Sequence, residues 1–409
     1  MLKTKENIHE KLNWLATFSD PGEGITRLLF TKTWQQAREA LQAYMEELGF
    51  DVRGDAAGNL YGRIPGRSPR VVMTGSHLDS VRSGGRYDGA YGVLAAIHAV
   101  YHTWCLHGTP EKTMEVVVFS EEEGSRFPYA YLGSRYVTGQ VDPERLENAA
   151  DGAGVTIDAA RIEAGITEAW DDTPRTDIDQ FLEIHIEQGR QLEAAGESIG
   201  IVDAIVGQQR FYFTVSGQAN HAGTTPMPLR ADAMEAAAAM IHRLLEETRR
   251  RGDPLVATVG QLDASPGSVN VIPGSVTFSL DVRHPDDEAL QAAVAAVSGI
   301  CRDTAEAYGV SLHIDPFMTI DAVPMSQAMC HDLDHICSRD DIAYRRMYSG
   351  AGHDAQVMGR HCPSALLFVP STDGISHNPK EYTEPQYLDE GITVMQEALT
   401  IWAYKEESS

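Results

Sequence analysis

The sequence predicts an α/β protein with a smaller α+β domain inserted into it. Three observations predict this. Short apolar strands alternate with helices up to residue 189, the texture changes near residue 207, and the α/β texture returns after residue 322.

The elements follow in order. TWQQAREALQAYMEEL (33–48) has apolar or small residues at helical spacing and stops at Gly49. FDVRGDAAGNLYGRI reads as a strand pair around a turn at Asp55–Gly58. RVVMTGSH (70–77) is a short buried strand, GAYGVLAAIHAVYHTW (89–104) an apolar, central helix, and TMEVVVFS (113–120) another strand. QFLEIHIEQG (180–189) reads as a strand with alternating faces, broken at Gly189.

RFYFTVSG (210–217) then alternates like a half-exposed strand, and ADAMEAAAAMIHRLLEETRRRG (231–252) is a long helix. PLVATVGQLDA and SVTFSLDVRH are strands, PDDEALQAAVAAVSGICRDTAEAYG (285–309) is a second long helix, and VSLHID is a strand. The order strand–helix–strand–strand–helix–strand is that of a ferredoxin-like split βαβ sandwich. The expected division is 1–207 and 323–409 for the larger domain, with 208–322 inserted. The larger domain resumes with a helix at 325–338, the strand ALLFVP (365–370) and a helix at 386–404.

The bulk numbers exclude some functions. The 409 residues carry a net charge of −26. That excludes nucleic acid as a partner, because phosphate binding needs a basic surface. An anionic small substrate stays open, since a few arginines can hold it. No apolar run approaches the ~18–20 residues that cross a bilayer, so no membrane partner is expected. MLKTKENIHEKLNW at the N-terminus lacks an apolar signal core and reads as an amphipathic helix. The five scattered cysteines form neither a disulfide framework nor a CxxC knot, and fit free thiols in a reducing cytoplasm.

The chemistry gathers at strand ends. Ser76-His77-Leu78-Asp79-Ser80 ends one strand, and Asp88 in GGRYDGAYG opens the central helix. Glu121, Glu122 and Glu123 follow EVVVFS, His185 lies inside EIHIEQG, and His377 follows ALLFVP. A lone histidine is more often a satisfied core residue, and three glutamates in a row are more often a solvated face. Together, at the strand ends of one domain, His77, Asp88, Glu123, His185 and His377 plus a spare carboxylate suit a two-metal site, with a carboxylate between the ions. Successive side chains at a strand end point in different directions. Two adjacent glutamates can therefore serve as metal ligand and as general base toward water. Asp79, two residues from His77, is a plausible partner that orients it.

GSHLDS, YDGAYG, EEEGSRFP, HIEQG, GQANHAGTTPM, SVNVIPG, DVRH, GAGHDAQ and GISHNP, in this order over nearly the whole chain, resemble the M20 metallopeptidase family. Within it they are similar to the branch of amidohydrolases that act on carbamoyl (ureido) compounds. The resemblance implies a mixed-sheet di-metal hydrolase domain with an inserted lid and dimerisation domain. It implies His77, Asp88 and His185 around one ion, and Asp88, Glu123 and His377 around the second, with Asp88 as the bridge. Glu122 would be the general base, Asp79 would orient His77, and the Asp88–Gly89 bond would be cis. His221 in NHAGTTP would reach the active site of the partner subunit in a homodimer. Arg210, Asn270 and Arg283 would hold the carboxylate and ureido groups of a small substrate. Read from residue chemistry alone, Arg283 also fits a surface ion pair and His221 an ordinary loop residue. His353 is expected near the substrate and not as a ligand, and Asp354 at a helix N-terminus. The resemblance implies two divalent ions per subunit, manganese first, with zinc, cobalt or nickel as alternatives. Allantoate is the substrate it implies, with N-carbamoyl-L-amino acids, N-carbamoyl-β-alanine and ureidoglycolate as rivals.

Overall fold

The computed structural model describes residues 7–171 and 173–405. The chain divides into two compact units, Met1–Asp203 with Met325–Ser409, and Ala204–Pro324. The first part of the N-terminal amphipathic stretch lies outside the described residues. Its remainder forms the helix Ile8–Ala16, which buries Ile8, Leu12 and Leu15 on one side.

The first unit is built on one mixed sheet. Seven of its nine strands run in the order Asp51–Gly54, Leu60–Ile64, Lys112–Phe119, Ser68–His77, Ile178–Ile186, Ser364–Val369 and Ile199–Ile205, and Tyr344–Ser349 and Val323–Pro324 pair with the last. The four strands in the middle of this order are mutually parallel, with Thr74 opposite both Val116 and Leu182, and Leu367 opposite Ile184. Leu60–Ile64 and Ile199–Ile205 pair antiparallel at either side. Parallel register puts the C-terminal ends of the middle strands along one edge, where α/β proteins build their sites.

Ile178–Ile186 differs from the alternating pattern read in the sequence. Phe181 through Ile186 are all buried, polar Glu183 and His185 included. A strand flanked on both sides by parallel neighbours has no solvent face, so its polar residues must find partners inside. The strand Ile199–Ile205 and three short helices between Leu132 and Glu163 lacked a clear period in the sequence.

The second unit has strands Gly207–Ser216, Leu262–Ser265, Ser275–His284 and Ser311–Ile320, with helices Ala233–Arg251 and Asp287–Ala307. Ser275–His284 and Ser311–Ile320 flank Gly207–Ser216, all antiparallel, and Leu262–Ser265 lies outside Ser275–His284. This is the strand order of the split βαβ sandwich. Asp232 and Asp286 cap the two helices, accepting from Glu235 N and Ala289 N. Phe213, Phe278, Met240, Leu244 and Val297 pack between helices and sheet. The chain leaves and returns through paired residues, Ala204–Ile205 against Val323–Pro324.

Candidate active site

The parallel edge of the first unit gathers the predicted ligands. His77 is the last residue of its strand, His185 the second-last of its own, and Glu121–Glu123 follow Phe119. His377 lies beyond Val369, and Asp88 sits just before the helix Ala90–His107. Asp88 is the hub. Its Oδ1 is 3.4 Å from His77 Nε2 and 3.2 Å from His185 Nε2. Its Oδ2 is 3.3 Å from His377 Nε2, which is 3.4 Å from Glu123 Oε1. One carboxylate thus serves two groups, His77–Asp88–His185 and Asp88–Glu123–His377, each with ligand atoms within 4.8 Å of one another.

The far ring nitrogens fix the tautomers. His77 Nδ1 donates to the Asp79 carbonyl at 3.0 Å, and His185 Nδ1 to the Ile186 carbonyl at 2.9 Å. Each carbonyl can only accept, so Nδ1 carries a hydrogen and Nε2 is the ring atom turned toward Asp88. Glu123 Oε1 is buried without a hydrogen-bond partner. Lone pairs and carboxylate oxygens converging in a buried pocket, with one oxygen left unsatisfied, fit divalent cations of the zinc or manganese kind.

The electrostatics point the same way. Burial by itself would keep the His77 imidazole neutral, but Asp88, Glu122 and Asp79 outweigh it and raise its pKa well above the usual range. His185 is raised by Asp88 against the same burial. Burial pushes Glu122 well up and Glu123 to about 7. The pocket holds more negative charge than it can solvate, so it favours bound positive charge.

Asp79 meets His77 through its backbone and not through its carboxylate. Its carboxylate Oδ1 is 3.8 Å from His77 Nδ1, which bonds instead to the Asp79 backbone. The two carboxylate oxygens accept from Glu122 N at 3.1 Å and Glu123 N at 3.2 Å. The side chain fixes the glutamate turn, and the main chain fixes the imidazole. The physical reason is competition: two backbone N–H groups in a buried turn need acceptors, and His77 already has one.

The expected cis bond at Asp88–Gly89 is absent. The cis bonds among the described residues are Asp253–Pro254 and Ser265–Pro266. Gly89 makes the turn with a trans bond at φ +64°, and its N–H donates to His185 Nε2 at 3.1 Å. A Cβ here would also fall 2.4 Å from the His77 ring, so glycine serves both the left-handed φ and the close approach.

Glu122 Oε2 lies 4.0 Å from His77 Nε2, in a close group with His77 and Glu123, and the residue is 8 % exposed. Glu121 is structural: its Oε1 accepts from Arg126 N and Phe127 N, which fixes the turn that follows. His353 is buried with its ring 4.6 Å from that of His185, and Asp354 starts the helix Asp354–Met358 as expected.

The other predicted residues belong to the second unit. His221 pairs with Val271 in an exposed two-strand ribbon, and Ala222 N donates to the Asn270 carbonyl. Arg210 and Arg283 share one partner that the sequence reading missed, Asp281. Arg210 Nε reaches its Oδ2 at 2.8 Å, and Arg283 Nε its Oδ1 at 2.9 Å. Asp281 lies two residues before Arg283, on the same strand face, so the alternation rule could have found it.

Sequence reasoning also missed the residues around Asp88. Gln188 Nε2 and Ser376 Oγ donate to its Oδ2 at 2.9 and 3.1 Å. Glu183 joins Ser76 Oγ to Ala355 N behind the cluster. Their only signal was proximity to a ligand in sequence.

The model of peptidase family M20/M25/M40 matches residues 73–401. The allantoate amidohydrolase of Bacillus subtilis (strain 168) is 42% identical, covering 98% of this chain and 99% of its own. The allantoate amidohydrolase of Escherichia coli (strain K12) is 41% identical over 96% of each. The crystal structure of an amidase of the hydantoinase/carbamoylase family from Burkholderia multivorans superposes with a TM-score of 0.93 at 33% identity, over 98% of both chains.

Proposed function

The chain belongs to peptidase family M20/M25/M40, and from that premise we propose that it is a hydrolase of non-peptide C–N bonds acting on allantoate. It cleaves a terminal ureido group with one water, giving ureidoglycine, ammonia and carbon dioxide. The observation that carries the reading is the Asp88 carboxylate facing three imidazoles, with Glu123 beside it and Glu122 beside His77, in a chain 41–42% identical to two allantoate amidohydrolases.

His77, Asp88 and His185 would hold one divalent ion, and Asp88, Glu123 and His377 a second, with manganese the favoured occupant over zinc, cobalt or nickel. Such ions supply Lewis acidity at the carbonyl and lower the pKa of the attacking water. Glu122 takes a proton from that water and returns it to the leaving nitrogen. Its burial keeps other water away from the carboxylate. Asp79 holds the turn that aims Glu122 and Glu123.

The inserted unit serves as lid and dimerisation domain. Arg210 and Arg283 grip the substrate carboxylate, since a guanidinium offers two parallel N–H donors. Asn270 offers a donor and an acceptor to the ureido group. His221 of a second copy polarises the scissile carbonyl, and His353 contacts the substrate or backs His185. Among the described residues no helix is long and apolar enough to cross a membrane. We place the enzyme in the cytoplasm, where its free cysteines stay reduced.

The test is ammonia release by manganese-loaded protein from allantoate, an N-carbamoyl-L-amino acid, N-carbamoyl-β-alanine and ureidoglycolate in parallel. Allantoate is expected to give the highest kcat/KM. A higher value for an N-carbamoyl-L-amino acid would transfer the assignment to the carbamoylase activity, which the likeness to the hydantoinase/carbamoylase structure favours.

A further inference from the structure

We propose that Glu381 is a positioning residue that sets the affinity of the Asp88–Glu123–His377 group for its ion. Glu381 is 3 % exposed. A buried carboxylate persists only where donors surround it, and its donors come from both segments that supply this group. Oε1 accepts from Tyr87 N at 2.8 Å and Asp88 N at 3.1 Å. Oε2 lies 3.0 Å from Ser376 Oγ, whose single hydroxyl hydrogen it shares with Asp88 Oδ2, and Ser376 precedes His377. Ser376 Oγ is also 3.1 Å from Asp88 Oδ2. One side chain therefore ties the backbone of the hub carboxylate to the loop of the exposed imidazole.

That tie has work to do. His377 follows no strand directly and has a positive φ of 52°, with its side chain 50 % exposed. Its distance from Asp88 is held by the loop and not by sheet register. The glycine in GGRYDG has the same origin. A Cβ on Gly85 would fall 2.0 Å from Glu381 Oε1 and 2.1 Å from its Cδ, so Glu381 fills the space a side chain at 85 would take.

The inference rests on the two-ion reading, and the experiment separates the two. Metal-free wild type, Glu381→Ala, Glu381→Gln and Gly85→Ala are titrated with manganese by calorimetry, and each metal-free melting temperature is recorded. Wild type is expected to bind two ions. Glu381→Ala loses affinity for the Asp88–Glu123–His377 ion by about 10–100-fold, the usual effect of removing a residue behind a ligand, while the other ion, which shares only Asp88, changes less. Gly85→Ala displaces Glu381 and reproduces that loss. Glutamine keeps an oxygen for the two N–H groups and an NH₂ for Ser376 Oγ, so Glu381→Gln stays within about threefold of wild type, well inside the range lost with alanine. A merely structural role would lower the metal-free melting temperature of Glu381→Ala and weaken both ions alike, and that result would overturn the proposal. So would wild-type affinities in Glu381→Ala, or a glutamine variant as weak as the alanine one. Fewer than two ions in wild type would instead remove the premise.

Discussion

Replacing Asp79 by asparagine distinguishes an aspartate that orients His77 from one that fixes the glutamate turn. The carboxylate accepts Glu122 N and Glu123 N on separate oxygens, and it is 1 % exposed. Asparagine keeps one acceptor and turns its NH₂ toward the other N–H. The loss is one hydrogen bond to a charged acceptor, about 1.5–3 kcal/mol. If that cost falls on the position of Glu123, the Asp88–Glu123–His377 ion weakens by roughly 10- to 150-fold, at 1.4 kcal/mol per tenfold. The His77–Asp88–His185 ion should hold, because His77 Nδ1 bonds to the backbone of residue 79, which the substitution leaves in place. Manganese titration of the metal-free variant is the assay, with one strong and one weakened ion expected. Loss of the ion held by His77, with Glu123 still binding, would refute the reasoning and restore the imidazole-orienting role.

Three further outcomes follow from the same geometry. Glu122→Gln should bind metal as wild type does and lose about 10²–10⁴-fold in kcat, the usual contribution of a general base; allantoate hydrolysis at the wild-type rate would show the base to be elsewhere. Chelation should abolish ammonia release and lower the melting temperature, because ligand present at 100 times its Kd stabilises a fold by about 2.7 kcal/mol; an unchanged melting curve in the chelator would argue against a resident metal. Asp281→Asn should raise KM for the carboxylate substrate while kcat changes little, since Arg210 and Arg283 lose the charged partner they share; steady-state kinetics that leave KM unmoved would remove Asp281 from substrate binding.

Much of the site was legible because its residues lie at strand ends, and strand ends can be read from local composition. EVVVFS running into three glutamates, and VVMTGSH ending in a histidine, each place a chemical group at a sheet edge without tertiary information. The hidden residues lack such a marker. Glu381 stands in an ordinary polar loop, NPKEYT, and becomes informative only when the fold sets it against Gly85 and Asp88. Glu183 reads as one polar residue in an alternating strand; only burial at both faces shows that it must bond to Ser76 and Ala355.

The sequence by itself determined the element types, the interruption of one unit by another, and which chemical groups stand at the strand ends, since periodicity, turn residues and residue chemistry are local properties. Tertiary structure alone decided how those groups meet. Parallel register brings His77 and His185 to the same carboxylate, which no separation along the chain expresses. Hydrogen-bond competition assigned the Asp79 side chain to the glutamate turn and its carbonyl to His77. Glycine's freedom of φ turned the chain at residue 89 with a trans bond. Each of these depends on which polar group finds a partner inside a packed interior, and that is settled only when the strands are side by side.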